Sequence, residues 1–66
     1  MEIFVNGEAR RVPAPFTVAD LVAELDLAGR RIAVERNGEI VPRSLHAGTP
    51  LASGDRMEIV VAVGGG

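Results

Sequence analysis

The architecture depends on residues 17–25, which read Thr17-Val18-Ala19-Asp20-Leu21-Val22-Ala23-Glu24-Leu25, because this is the segment of the sequence with helical periodicity. Thr17 and Asp20 are spaced as the partners of a capping box, so a helix is predicted to begin at Thr17 or Val18. Its apolar residues recur at helical spacing on one face: Val18, Leu21, Val22 and Leu25. Gly29 is expected to end the helix in a left-handed conformation. A short helix with one apolar face must pack against another element.

Two Asn-Gly pairs, Asn6-Gly7 and Asn37-Gly38, stand on either side of this helix. They separate strand-like runs in pairs: 2–6 from 9–13, and 32–36 from 39–41. Asn-Gly between apolar-alternating runs is the strongest local signal for a β-hairpin with a type I′ turn. The sequence therefore predicts one hairpin before the helix and one after it.

The segment 42–51 is predicted to be an irregular connection, because its prolines interrupt the hydrogen bonds of a strand. Leu45 and Leu51 are expected to cover the edge of the core. Ser53-Gly54-Asp55 then forms a turn into a last strand at 57–63.

This order of elements predicts an α+β fold of the ubiquitin-like, or β-grasp, type. One helix is expected to cross one face of a mixed sheet of four to five strands. The domain is expected to span residues 1–63, followed by a flexible glycine tail at 64–66.

Three apolar residues are predicted on the sheet face that no helix covers: Phe4, Val60 and Ala62. The prediction follows from the alternation of side chains along strands and from placing the first and last strands side by side. Ordinary surface hydrophobicity is one explanation, since much of any protein surface is apolar. A docking patch is the other, and the proximity of these residues to the glycine tail favours it.

Composition excludes several classes of function. With 66 residues, 47% of them hydrophobic, the chain is one small globular domain. A net charge of −2 and the absence of Tyr and Trp argue against nucleic acid, so Arg10-Arg11 and Arg30-Arg31 are interpreted as solvated surface. No leader or run of about 20 apolar residues is visible, so we expect a cytoplasmic protein without membrane contact.

The chain carries no recognisable catalytic or metal-binding set of its own. Cys is absent, no carboxylates are paired at a recognisable spacing, and His46 is the single histidine. A lone histidine is more often a surface or hydrogen-bonding residue than a metal ligand. We therefore expect a protein that is neither an enzyme nor a metal or cofactor binder.

The sequence ends in Gly64-Gly65-Gly66. Three extended residues span at most ~10 Å, enough for the Gly66 carboxylate to reach into the cleft of another protein. A phosphate-binding loop is disfavoured because no helix follows the glycines. On the tail alone, a chemical handle and a frayed end without function remain open.

The whole sequence resembles the sulfur carrier proteins of thiamine biosynthesis, the ThiS family. The resemblance rests on Met1-Glu2-Ile3 with Asn6-Gly7, on Thr17 to Leu21, on VERNGEIVPR at 34–43, on Gly54-Asp55-Arg56 and on the terminal glycines. It implies that a ThiF-type, E1-like enzyme uses ATP and Mg to adenylate the Gly66 carboxylate. A sulfur donor, ultimately a cysteine desulfurase, then makes a thiocarboxylate that ThiG-type thiazole synthase consumes.

In that comparison Gly65 and Gly66 match the Gly-Gly terminus of the family, and Gly64 is an additional, harmless small residue. Gly64 and Gly65 are expected to give the tail its access to the partner's cleft. Arg43, which follows Val41-Pro42, is interpreted either as a contact to an acidic surface of a partner or as a structural residue of its loop. Three other functions stay open: a molybdopterin-synthase-type sulfur carrier subunit, a non-catalytic β-grasp interaction module, and a protein modifier. The absence of lysine argues only against chains built on the protein itself.

Overall fold

The computed structural model describes residues 1–62. Their elements are β1 (Glu2–Val5), β2 (Glu8–Arg11), α1 (Val18–Glu24), β3 (Ile32–Arg36), β4 (Glu39–Ile40), a 3₁₀ turn (Arg43–Leu45) and β5 (Arg56–Val61). The strands form one five-stranded sheet in the order β2-β1-β5-β3-β4. β1 and β5 are parallel, and the other neighbours are antiparallel. The predicted mixed sheet with one helix, the β-grasp architecture, is confirmed.

The start of α1 is the predicted capping box. The Thr17 N–H donates to Asp20 Oδ2 at 2.9 Å, and the Asp20 N–H donates to Thr17 Oγ1 at 3.1 Å. These bonds satisfy donors that the first turn of a helix leaves without partners.

The end of α1 differs from the prediction, because Asp26 rather than Gly29 takes the left-handed position after the helix, with φ 60°. The Asp26 N–H donates to the Ala23 carbonyl at 3.0 Å and the Leu27 N–H to the Val22 carbonyl at 2.9 Å. This is the hydrogen-bond pattern of a Schellman motif. Asp tolerates the left-handed region, and Leu27 packs against the core, so the helix ends before the position predicted from Gly29.

Both predicted hairpin turns are present. Asn6 and Asn37 have φ values of 50° and 51°, and the glycines that follow them have 85° and 86°. Two consecutive residues at positive φ define the type I′ turn, which matches the twist of the flanking strands.

The core lies between α1 and one face of the sheet. Its buried apolar residues are Ile3, Val12, Phe16, Val18, Leu21, Val22, Val34, Leu51, Met57 and Ile59. Leu51 is buried as predicted, whereas Leu45 is 54% exposed, so its predicted position covering the edge of the core is wrong. Leu45 ends a 3₁₀ turn within the segment that was expected to be irregular, and this turn carries its side chain outward.

His46 is buried at the end of this turn, where its Nε2 lies 3.0 Å from the Val41 carbonyl oxygen. This contact agrees with the hydrogen-bonding role expected for the residue. Among residues 1–62 no three His, Cys, Asp or Glu side chains are grouped as metal ligands would be.

Candidate functional site

The candidate site is the end of β5, the strand that leads into the C-terminal glycines. β5 is hydrogen-bonded on both sides, to β1 and to β3. Its last described bond beyond the strand runs from the Ala62 N–H to the Arg31 carbonyl at 2.9 Å. The predictions that concern Gly64, Gly65 and Gly66 lie outside the described residues.

Asn6 fastens β5 to the first hairpin. Its backbone N–H donates to the Met57 carbonyl at 2.8 Å. Its side-chain amide then pairs with the backbone of Ile59, with Nδ2 donating to the carbonyl at 3.1 Å and Oδ1 accepting from the N–H at 2.8 Å. The side chain thus imitates a further peptide group of β1 and satisfies backbone atoms that the turn leaves unpaired.

Asn37 makes the equivalent connection from the second hairpin. Its N–H donates to the Arg56 carbonyl at 2.8 Å, and its Oδ1 accepts from the Arg56 N–H at 2.9 Å. Its Nδ2 donates to Asp55 Oδ1 at 3.0 Å. Both turn asparagines therefore also position β5, a role that the Asn-Gly pattern alone does not indicate.

Asp55 is the buried acceptor at the start of β5. Its Oδ2 accepts from Arg36 Nε at 2.9 Å and from the Ala52 N–H at 2.8 Å. Burial alone raises the pKa of a carboxyl group, but the hydrogen bonds from Ala52, Asn37 and Arg36 and the charge of Arg36 outweigh burial and lower the pKa of Asp55. The carboxylate is therefore the form that the fold stabilises.

Of the residues predicted on the uncovered sheet face, Val60 and Ala62 are exposed neighbours, whereas Phe4 lies apart from them. Val60 is 63% exposed and lies opposite Ala33, and Ala62 follows it at the end of the strand. Phe4 is half-buried and lies beside Arg56, four residues back along β5, or about 13 Å at ~3.3 Å per residue. The prediction of one continuous apolar patch is therefore wrong. A docking role for these residues stays a prediction.

A carboxylate separates these apolar residues along β5, because Glu58 lies two residues after Arg56 and two residues before Val60. Glu58 lies directly opposite Glu35 in the antiparallel pair of β5 and β3. Like charges in this position repel each other. The uncovered face thus has an apolar end near Val60 and a charged middle.

Arg43 has the structural contact that one of its two interpretations requires. Its Nη2 donates to the Arg30 carbonyl at 2.6 Å and so joins the 3₁₀ turn to the segment before β3. This contact places Arg43 near the end of β5, because Arg31 is the residue bonded to Ala62.

Arg30 and Arg31 are exposed neighbours of the β5 end that the sequence interpretation assigned to ordinary solvated surface. The signal that identifies them is the strand register, in which Ile32 lies opposite Val61. That pairing joins positions far apart in the sequence, so composition did not indicate it.

Within residues 1–62 no helix has the length and hydropathy needed to cross a bilayer. α1, with seven residues, is far shorter than a membrane span requires.

Comparison with known proteins identifies the family. The sequence profile of the ThiS family matches residues 3–66. The crystal structure of the thiamine biosynthesis protein ThiS from Geobacter metallireducens superposes with a TM-score of 0.82, at 32% identity, covering 100% of both chains. The chain belongs to the ThiS family.

Two further relatives match over the whole chain. A thiazole synthase of Paramagnetospirillum magneticum is 47% identical over 66 residues, but the match spans only 20% of that protein. The uncharacterized protein ycf40 of Pyropia yezoensis is 35% identical over 66 residues, which make up 93% of its length. The chain therefore corresponds to a small part of the first relative and to nearly all of the second.

Proposed function

We propose that this protein is a sulfur carrier of thiamine biosynthesis that acts as a co-substrate of partner enzymes. The observation that carries the proposal is the family match over residues 3–66, a range that includes the terminal glycines. The structural likeness to a thiamine biosynthesis protein supports the same pathway.

The proposed chemistry takes place on the α-carboxylate of Gly66. Such a group has a pKa of about 3.3 to 3.7, so at neutral pH it is an anion and a poor electrophile. A ThiF-type enzyme joins it to AMP from ATP and releases pyrophosphate, while Mg²⁺ and cationic groups of that enzyme stabilise the developing charge. A persulfide of the sulfur donor then attacks the activated carbon, displaces AMP and forms an acyl disulfide. A second thiol, such as cysteine, cleaves the S–S bond by forming a disulfide with the donor, and this releases the thiocarboxylate on Gly66.

Thiazole synthase is the proposed consumer of this sulfur. Relatives from Paramagnetospirillum magneticum and Magnetococcus marinus carry a segment similar to this chain and bear the name thiazole synthase. A carrier and an enzyme that act on each other gain effective concentration when they are joined. The names of these relatives therefore support this partner for the present chain.

The fold contributes by presenting the C-terminal segment at a fixed place. Asn6, Asn37 and Asp55 hold β5, and the backbone stays bonded to the sheet up to Ala62. A rigid support reduces the conformational entropy lost when the following residues enter a partner's cleft.

Intact mass spectrometry tests the proposal. The full chain is incubated with the activating enzyme, Mg²⁺, ATP, a cysteine desulfurase and cysteine, and the expected gain equals the replacement of one oxygen by sulfur. Fragmentation should place this gain on Gly66, which also establishes that its α-carboxyl is free. A gain located elsewhere, or no gain, contradicts the proposal.

A truncated chain ending at Val63 provides the matched variant. It should show no sulfur gain and should unfold at the same urea concentration as the full chain. Removing a single glycine is a weaker test, because any such deletion gives the same sequence, still ending in Gly-Gly. Normal loading of the chain that ends at Val63 would exclude the glycines as the site.

A further inference from the structure

We propose that three arginines form a basic docking surface around the end of β5 and bind carboxylates of the partner enzyme that receives the C-terminal segment. The residues are Arg30, Arg31 and Arg43. The inference rests on the proposed function, because it specifies the chemistry of the surface next to the segment that would enter the partner's cleft.

Arg31 lies at the point where the described chain leaves the sheet. The pairing of Ile32 with Val61 places Arg31 opposite Ala62, as the bond from the Ala62 N–H to the Arg31 carbonyl confirms. Directly opposed residues of an antiparallel pair have Cβ atoms about 4.5 to 5.5 Å apart. Arg31 is exposed, so a protein that engages the segment after Ala62 meets this guanidinium.

Arg43 adds a second cation from a different element. Its Nη2 donates to the Arg30 carbonyl at 2.6 Å, which fixes the guanidinium while leaving its other N–H groups available. The carbonyl is neutral and does not cancel the charge. A guanidinium held in place loses less conformational entropy on binding a carboxylate than a free one.

These three charges lack a carboxylate partner among residues 1–62, where the single side-chain ion pair joins Arg36 to Asp55. The chain as a whole has a net charge of −2, yet three of its seven basic residues lie at this one end. The net negative charge of the whole chain repels a long polyanion. An acidic surface that contacts only this end of the molecule is instead attracted by the three arginines. An acidic protein surface is therefore the partner that the charges fit.

A groove beside Arg43 fits the same type of partner. It has a volume of about 280 Å³, and Arg43 lies along an apolar wall that includes Ala28, Gly29 and Ile32. The methylene groups of a Glu side chain can lie against such a wall while its carboxylate meets the guanidinium bidentately. We therefore expect Asp or Glu residues of the activating enzyme at this groove and beside Arg31.

Binding kinetics of a charge-reversed variant test the inference. The affinity of the activating enzyme for the full chain and for Arg30→Glu/Arg31→Glu is measured by surface plasmon resonance from low to high salt. Kd of the double variant should rise about tenfold or more at low salt, mainly through slower association, and its salt dependence should flatten. The main-chain bonds of both residues are retained, so circular dichroism should be unchanged.

Arg11→Glu is the matched control. Arg11 is equally exposed but lies on β2, two strands away from β5 in the sheet. The strand register places Arg11 opposite Glu2, at the far end of the sheet from Ala62. At about 0.1 M salt, where the Debye length is ~10 Å, the Kd of Arg11→Glu should therefore change by less than about twofold. Equal effects of Arg11→Glu and the double variant would show a general charge effect and overturn the inference.

Sulfur loading of the wild-type chain, measured in parallel, separates this inference from the proposed function. If the wild type is loaded and the double variant binds with unchanged Kd and salt dependence, the docking surface is wrong and the carrier function stands. If the wild type binds in the expected arginine-dependent manner without being loaded, the surface stands and the carrier function is wrong. If the wild type neither binds nor is loaded, both are overturned.

Discussion

At the scale of single residues, side chains of the turns hold the strand that leads to the glycines. Asn6 and Asn37 combine two properties, since each tolerates positive φ and each carries an amide that pairs with β5. Glycine could make either turn but not these bonds. Asp55 completes the arrangement by accepting from two side chains and one backbone N–H.

Asp55→Asn should lower the free energy of unfolding at neutral pH by about 1 to 3 kcal/mol, because it removes the charge that strengthens these hydrogen bonds. The pKa of Asp55 is lowered in the folded protein. Its contribution is therefore complete above the unfolded-state pKa of about 3.9 and is lost as the pH falls through the folded pKa. Urea unfolding at pH 7 and at progressively lower pH measures the difference.

The difference in the free energy of unfolding between wild type and Asp55→Asn should become smaller as the solution is acidified. Glu8→Gln, an exposed carboxylate on β2, is the control and should leave stability within about 0.5 kcal/mol of wild type at every pH. A gap that stays constant down to the acid transition would show that the charge of Asp55 has no part in stability.

At the scale of elements, the sequence predicted what depends on neighbouring residues. The capping box of Thr17 and Asp20 and the two Asn-Gly turns are local, and each is present. The end of the helix was predicted wrongly, and so was the position of Leu45, which points outward. Both depend on contacts that local patterns do not contain: Leu27 packing on the core stabilises the Schellman motif, and the 3₁₀ turn sets the direction of Leu45.

Pairing between elements also places Glu58 opposite Glu35. Glu58→Gln removes the repulsion and should raise the free energy of unfolding by about 0.2 to 1 kcal/mol. Urea unfolding at low salt measures the gain, which should shrink at high salt because the repulsion is screened. Glu8→Gln serves again as control, since Glu8 lies opposite Val5 and has no facing carboxylate. A loss of stability in Glu58→Gln would mean that the carboxylate makes a favourable contact.

At the scale of the whole molecule, the sequence predicted which apolar residues lie on the uncovered face but not how they are grouped. Phe4 and Val60 are on the uncovered face as expected, and the register of β1 with β5 separates them. That register is fixed by contacts such as that between Asn6 and Ile59, 53 residues apart in the chain. For the same reason Arg31 was not recognised as a neighbour of the β5 end.

This grouping predicts unequal roles for the exposed apolar residues. Val60 lies two residues before Ala62, close to the end of β5, whereas Ile40 is 69% exposed on the edge strand β4. Val60→Glu should weaken binding to the activating enzyme and to thiazole synthase by about tenfold, since a buried contact at the centre of an interface contributes about 1 to 2 kcal/mol or more. Ile40→Glu introduces the same charge outside that region and should change binding by less than about twofold.

The effect of Phe4→Glu on binding should lie between those of Val60→Glu and Ile40→Glu, because Phe4 is on the same face as Val60 but about 13 Å back along β5. Isothermal titration calorimetry gives the three affinities, and urea unfolding verifies that Val60→Glu and Ile40→Glu each cost less than about 1 kcal/mol of stability. An order in which Ile40→Glu is the most damaging would move the interface to the β4 edge. Equal, small effects of all three would mean that the partners recognise the C-terminal segment and the arginines without the sheet face.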